Sequence, residues 1–228
     1  MKPLAYTMRP ESFDFIVGQD HLVGENGVLN QMIKNKSLFS FILYGNPGCG
    51  KTTIAEATCK MSGYKWFRFN ASTDNKDTLR QIITESRFYS DSIIIVDEIH
   101  RMKKDIQDYL LPYVENGTVI MIGLTTVNPY HSVNPAIRSR CHVYKLNDLK
   151  KEDLAKVAKR AYSIIGEGFT IDEDVYDYII NMANLEIRTL INSFETLIKT
   201  ATDKHITLND AIRIIQKANV SIDANGDS

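Results

Sequence analysis

Cysteine is scarce in this sequence: Cys49, Cys59 and Cys141 are the only three in 228 residues. They show no metal-like pairing, and an odd, sparse set fits reduced thiols of the cytosol rather than a disulfide scaffold. Long apolar runs are also missing. None approaches the ~18 residues of a membrane span, and Met1-Lys2-Pro3-Leu4 has no signal-peptide core. The expected location is therefore the cytoplasm, with no membrane partner. Net charge is almost nil: 27 Lys and Arg against 28 Asp and Glu leave −1, so no global basic field advertises nucleic acid. Internal repeats and low-complexity tracts are absent. What remains is ordinary for a globular protein, with 43% apolar and 24% charged residues. The length suits one large domain or two modest ones.

The chain is organised around Gly45-Asn46-Pro47-Gly48-Cys49-Gly50-Lys51-Thr52. An apolar run, Phe41-Ile42-Leu43-Tyr44, precedes it and Thr53-Ile54-Ala55-Glu56-Ala57 follows. Strand, glycine-rich loop and helix at this spacing form a nucleotide phosphate cradle. Glycines let successive backbone N–H groups approach an anion with no Cβ in the way. The helix presents unpaired N–H groups and its positive dipole end to the same anion. Lys51 can reach the β- and γ-phosphates, and Thr52 offers a hydroxyl to Mg²⁺. Residues Gly45 through Thr53 are the candidate phosphate site.

Upstream, residues 3–20 read as an extended arm, because Pro3 and Pro10 oppose a helix across it. It serves either as packing on the core or as a wall for a flat adenine ring. A helix is expected over 27–36, strands at 40–44 and 65–70, and helices over 51–62 and 78–88. Trp66, Phe67 and Phe69 read as sheet packing rather than a base-stacking platform.

Ile93-Ile94-Ile95-Val96 has the unbroken apolar character of a strand buried on both faces of a parallel sheet. It ends in Asp97-Glu98, at the strand end where α/β sheets bind ligands. Asp97 can hold Mg²⁺, directly or through water, and Glu98 is placed to polarise an attacking water. A helix over 103–114 stops at Asn116-Gly117. Another buried strand, Val119 to Leu124, leads into Thr125-Thr126-Val127-Asn128-Pro129, which either contacts the γ-phosphate or is ordinary turn chemistry. A fifth strand follows over His142–Leu146. Beyond Asn147, strands stop and four amphipathic helical patterns appear, the last opened by Thr207 with Asp210 three residues on. The expected domains are 1–146, an α/β nucleotide-binding domain with the N-terminal arm; 147–219, an all-helical domain; and a polar tail, 220–228.

These motifs, with Ser139-Arg140-Cys141, resemble an AAA+ ATPase of the clamp-loader clade. More specific runs narrow the resemblance: Pro3-Leu4-Ala5 with Met8-Arg9-Pro10, Val17-Gly18-Gln19, Asp97-Glu98-Ile99-His100-Arg101, Leu110-Leu111-Pro112-Tyr113-Val114-Glu115-Asn116-Gly117-Thr118, and Thr125 to Pro129. They are similar to the replication-associated recombination protein A family, also called maintenance of genome stability protein A and related to the eukaryotic Werner-helicase-interacting ATPase. The similarity covers essentially the whole chain. It implies a five-stranded parallel P-loop NTPase sheet flanked by helices, then a small helical AAA+ lid, with ATP between them and their angle changing on hydrolysis.

The resemblance also implies residue roles. Arg140 matches the arginine finger that reaches a neighbouring subunit's γ-phosphate; Arg138 lies close enough to confuse a mutational test. Arg188 matches the second sensor, although the family pattern Gly-Asp-x-Arg is here Leu185-Glu186-Ile187-Arg188. Thr126 aligns with the first sensor, with Asn128 in reserve. Leu4, Arg9, Pro10, Val17 and Gly18 fall on the adenine side. Cys49 departs from the family's Gly or Thr; only its N–H is needed there, so the change is expected to be tolerated, though a thiol there could be oxidised.

Members continue into a helical oligomerisation domain, so a chain ending at Ser228 is either truncated, which is the expectation, or a short relative. The implied function is a DNA-dependent ATPase of replication-fork rescue, recombination and genome maintenance, using ATP and Mg²⁺. The implied partners are a homo-oligomer (a tetramer at full length, with a monomer open for a fragment), DNA at forks or single-strand gaps, and a single-stranded-DNA-binding protein. The implied location is cytoplasmic and nucleoid-associated. The alternatives are a clamp-loader subunit, a branch-migration motor, or a non-hydrolytic nucleotide-dependent scaffold.

Overall fold

The computed structural model describes residues 1–223, with side chains through Ile215. Along the chain run α1 (Leu4–Thr7), a 3-10 turn (Phe13–Phe15), α2 (Asp20–Val23), α3 (Val28–Lys34), β1 (Phe41–Tyr44), α4 (Lys51–Ser62) and β2 (Lys65–Asn70). Next come α5 (Lys76–Ser86), β3 (Ser92–Asp97), a 3-10 turn (Ile99–Arg101), α6 (Lys104–Glu115), β4 (Ile120–Thr125), α7 (Pro129–Ser132), α8 (Pro135–Arg138) and β5 (His142–Lys145). The remainder is α9 (Lys151–Ile165), β6 (Thr170–Ile171), α10 (Glu173–Met182), α11 (Ile187–Thr200), β7 (His205–Ile206) and α12 (Leu208–Asp223). The chain divides into two compact units: Pro10–Asp148, and a second made of Met1–Arg9 with Leu149 onward.

In the first unit, the five strands form one parallel sheet in the order β2-β3-β4-β1-β5. Alternation along each strand feeds a separate core on each face. Phe41, Leu43, Ile93, Ile95, Ile122 and Leu124 face one core with Leu29, Ile54 and Ala55 of α3 and α4. Ile42, Phe69, Ile94, Val96 and Met121 face the other with Leu79, Ile83, Ile106 and Leu110 of α5 and α6. The run Ile93–Val96 is apolar without a break because it serves both cores, and all four residues are fully buried. Gly123 on β4 permits close packing: a Cβ there would lie 2.7 Å from Ile99 Cδ1. Asn75 caps α5 by accepting the Thr78 N–H at 2.9 Å, and α6 stops before Gly117, which lies at φ 78°. The nucleotide motifs therefore sit at the C-terminal tips of β1 and β3.

In the second unit, α9 to α12 supply the helical part, with Leu154, Val175, Ile179, Leu190 and Phe194 buried. Thr207 and Asp210 cap α12 reciprocally: the Thr207 N–H reaches Asp210 Oδ2 at 3.0 Å and the Asp210 N–H reaches Thr207 Oγ1 at 3.5 Å.

Five expectations need correction. The arm is not extended: α1 fits between Pro3, whose φ of −56° suits a residue opening a helix, and Pro10, beyond its end. Residues 1–9 also do not belong with the sheet. Leu4 is 3% exposed, its N–H donates to the Glu195 carboxylate of α11, and Arg160 Nη1 of α9 donates to Met8 O at 2.7 Å. The junction falls at 148/149. Strands do not stop at β5, since β6 and β7 pair in parallel through Thr170↔His205 and Ile171↔Ile206; two residues are too few to leave a periodicity. Helix α12 runs to Asp223, four residues into the stretch read as tail, and residues 224–228 lie outside the described part.

Candidate nucleotide site

The loop at the tip of β1 turns through two left-handed glycines, Gly48 at φ 79° and Gly50 at φ 109°. A Cβ on either would meet nothing within 4 Å, so open space lies where a larger residue's side chain would stand. Gly45, by contrast, is crowded: its Cβ would fall 2.9 Å from Cys49 Sγ. Lys51, the first residue of α4, folds back over the loop. Its Nζ donates to Gly45 O at 2.7 Å and Asn46 O at 3.0 Å and lies 3.9 Å from Cys49 Sγ. No carboxylate pairs with it among the described residues, and burial lowers its pKa below the ordinary lysine value. A half-buried ammonium without an anion, beside an open glycine cradle, fits a phosphate chain.

Gln19 holds this loop from behind. It is fully buried, and its Nε2 donates to Cys49 O at 3.1 Å and Asn147 O at 2.8 Å, while its Oε1 accepts the Asn147 N–H at 2.8 Å. Asn46 Nδ2 donates to Asp148 Oδ1 at 2.7 Å. The Cys49 thiol is buried and its pKa is pushed up by burial, more than neighbouring Lys51 draws it down. The net shift disfavours the thiolate, which is the reactive form. Burial also pushes Cys59 and Cys141 up to about 12.

At the tip of β3, Asp97 is gripped by Arg68 of the neighbouring strand β2. Arg68 Nε donates to Asp97 Oδ2 at 2.6 Å and Nη2 to Oδ1 at 3.2 Å, and the same guanidinium reaches Glu56 of α4 through Nη1 at 2.8 Å. The hydrogen bonds to Asp97, then its charge and that of Glu56, outweigh burial and hold Arg68 above its ordinary pKa. Glu56 lies four residues after Thr52, so the two share a face of α4. Glu98 is exposed and stands at φ 52°, ψ 46°, a left-handed conformation rare outside glycine. With Arg68, Asn70, Asp74 and Asp97 it lines one open depression.

Thr52, Glu56 and Asp97 supply hard oxygen donors of the kind Mg²⁺ takes, but the described residues contain no cluster of three or more His, Cys, Asp or Glu able to hold a metal alone. The donors fit a cation that draws its remaining ligands from a nucleotide and water.

At the tip of β4, Thr125 is 2% exposed and its hydroxyl shares a 2.8 Å hydrogen bond with His100 Nδ1. Thr126 is exposed; Asn128 is committed as a helix cap, its Oδ1 accepting the Tyr130 N–H at 3.0 Å. The two nearby arginines differ sharply. Arg138 Nη1 lies 3.5, 3.0 and 3.4 Å from the carbonyl oxygens of Pro129, Tyr130 and Val133. Arg140 is a surface residue whose Nη2 lies 3.2 Å from Glu115 Oε1.

Of the adenine-side residues, Pro10, Val17 and Gly18 belong to the sheet unit, whereas Leu4 and Arg9 fall in the other. Leu4 is spent in a core, and Arg9 lies 5.4 Å over the Tyr6 ring. In the helical unit Arg188 is exposed at the start of α11, after two left-handed residues, Asn184 at φ 49° and Leu185 at φ 62°. Leu185 thus keeps a glycine-type backbone at the position where the family pattern has glycine. Sequence reasoning missed Arg68, Glu56 and His100. Only Arg68 carried a signal, a lone guanidinium among the packing residues of a strand.

Residues 41–148 match the family described as ATPase family associated with various cellular activities (AAA). Replication-associated recombination protein A of Bacillus subtilis is 38% identical over 238 residues, spanning 100% of this chain and 56% of that protein. The protein of the same name from Escherichia coli K12 is 34% identical over 205 residues, 86% of this chain and 46% of that one. ATPase WRNIP1 of Dictyostelium discoideum is 35% identical over 86% of this chain and 23% of its own length. The chain therefore spans about half or less of these relatives. In fold, it superimposes on the Thermotoga maritima RuvB Holliday junction branch migration motor with a TM-score of 0.79 at 20% identity, covering 93% of this chain and 73% of that one. The parallel sheet, the phosphate loop at its β1 tip and the matched stretch agree: residues 41–148 form a domain of the AAA family of ATPases, and the chain as a whole is similar to the replication-associated recombination protein A proteins.

Proposed function

We propose that this chain binds and hydrolyses ATP. The observation that supports this best is Lys51, an ammonium drawn over an open glycine cradle with loop carbonyls and no carboxylate as partners. In this reading, backbone N–H groups from Gly48 to Thr53 and the Lys51 ammonium bind the phosphates. Magnesium, held by Thr52 and Asp97, would neutralise phosphate charge as it develops. Glu98 orients the attacking water and accepts its proton, and its left-handed backbone fixes where that carboxylate starts. Arg140 reaches a neighbouring copy's γ-phosphate, and Thr126 and Arg188 keep their sensor roles by family pattern.

The names of the relatives support a role in DNA replication and recombination. Accordingly we assign a DNA-dependent ATPase of fork rescue, homo-oligomeric in the full-length protein and located in the cytoplasm with the nucleoid. The test uses purified protein over a wide concentration range, with and without single-stranded or forked DNA. Lys51→Ala should abolish nucleotide binding. Glu98→Gln should retain it and lose turnover by about 10²–10⁴-fold. Wild-type turnover in Glu98→Gln would sink the assignment.

A further inference from the structure

Arg68 pairs with both Asp97 and Glu56, and its placement has consequences for how a metal gets in. Its planar fork meets both oxygens of Asp97, at 2.6 and 3.2 Å, and its remaining nitrogen meets Glu56 at 2.8 Å. The two carboxylates are largely shielded, at 18% and 13% side-chain exposure, while the Arg68 side chain is 42% exposed. A surface ion pair of this length would be worth little, but a bidentate fork on a shielded carboxylate is specific and directional. Without Arg68, Asp97, Glu56 and the Thr52 hydroxyl would be a bare oxygen-donor set facing the phosphate cradle, which is what a divalent cation seeks.

We propose that Arg68 is a resident counter-cation that occupies Asp97 in the nucleotide-free protein, so that a divalent cation gains Asp97 only by displacing the guanidinium. The proposal rests on the reading of Asp97 as a magnesium ligand. It makes Arg68 a positioning residue with two effects. Free divalent cation is kept out, because it must compete with a fork already satisfied on both oxygens. A cation arriving with a nucleotide succeeds, because the phosphates supply the extra ligands and charge. Released from Asp97, the guanidinium keeps its bond to Glu56 of α4, ready to return when the nucleotide leaves. Arg68 therefore couples metal occupancy to nucleotide occupancy.

The test titrates Mn²⁺ into nucleotide-free protein and reads the free ion by electron paramagnetic resonance. Wild type should bind weakly at this site. Arg68→Gln should bind one Mn²⁺ at least about tenfold tighter, and Arg68→Gln with Asp97→Asn should lose that gain. Arg68→Lys keeps the charge without the fork and should fall between, and it carries the test if the glutamine variant unfolds on thermal melting. Equal Mn²⁺ binding in wild type and a folded Arg68 variant overturns the proposal, as does a gain that survives Asp97→Asn. Binding of a fluorescent ATP analogue to the wild type separates the two readings. If the analogue does not bind, the nucleotide assignment fails whatever the Mn²⁺ result; if it binds and Mn²⁺ binding is unchanged, Arg68 alone is misassigned.

Discussion

Gln19 and Asn147, 128 residues apart in the chain, exchange two hydrogen bonds of 2.8 Å that run in opposite directions between one side-chain amide and the backbone N–H and C=O of one residue. The same amide also holds Cys49 O, so a single buried side chain serves three backbone groups around the phosphate loop. Gln19→Leu would leave all three without a partner, and buried unsatisfied groups cost about 1–3 kcal/mol each. The expected loss is about 2–4 kcal/mol after relaxation, read by urea unfolding, with weaker nucleotide binding beside it. A loss below ~1 kcal/mol would mean that water replaces the amide without penalty.

Arg138 and Arg140 separate by what they hold. Arg138→Ala removes a cap on the carbonyls around α7 and should lower stability by about 1–3 kcal/mol. Arg140→Ala removes one exposed ion pair to Glu115 and should change stability by less than ~1 kcal/mol. Turnover of the assembled protein should nevertheless fall by about 10³ or more in Arg140→Ala, if that residue is the finger. Thermal melts and ATPase assays of both variants decide it, and the reverse pattern would exchange their roles.

Leu185 keeps a left-handed backbone without being glycine. A side chain there costs about 1–2 kcal/mol, and glycine returns part of that through its freer unfolded chain. Leu185→Gly should therefore stabilise the helical unit by about 0.5–1 kcal/mol. An unchanged or lower denaturation midpoint would show that the half-exposed leucine side chain contributes more than its backbone costs.

His205 Nε2 lies 2.7 Å from Asp172 Oδ1, which ties β7 to the start of α10. This hydrogen bond, then the Asp172 charge, raises the His205 pKa above the ordinary histidine value of 6.5. A raised folded pKa means that the pair stabilises fully below 6.5 and loses its effect as pH climbs through the folded value. An NMR titration should place His205 above that value, and Asp172→Asn should bring it back. A midpoint unmoved by that substitution would remove the pair from the account.

The sheet was legible because its strands are apolar runs punctuated by Gly45–Gly50, Asp97-Glu98 and Asn116-Gly117, signals local to a few residues. The helical unit was legible through its apolar stripes. What escaped was long-range or too short to repeat. Arg68 meets Asp97 only because β2 and β3 pair in register, and Gln19 meets Asn147 only once β5 lies at the sheet edge. The β6–β7 pair has two residues a side. Prolines at 3 and 10 argued for an extended arm, but a single helical turn fits between them. The candidate site was thus readable where one motif supplies it and unreadable where two strands or two chain ends must meet.

The pairing of Met1–Arg9 with Leu149 onward makes the sheet unit an insertion within the helical one. The polypeptide crosses between them twice, at 9/10 and at 148/149. One proteolytic nick at either crossing therefore leaves both parts on one covalent molecule, and separating them takes two. A chain started at Pro10 would keep every strand of the five-stranded sheet. It would strip the helical unit of Leu4 and of the backbone partners of Glu195 and Arg160, so the damage from an amino-terminal deletion should appear in residues far along the sequence.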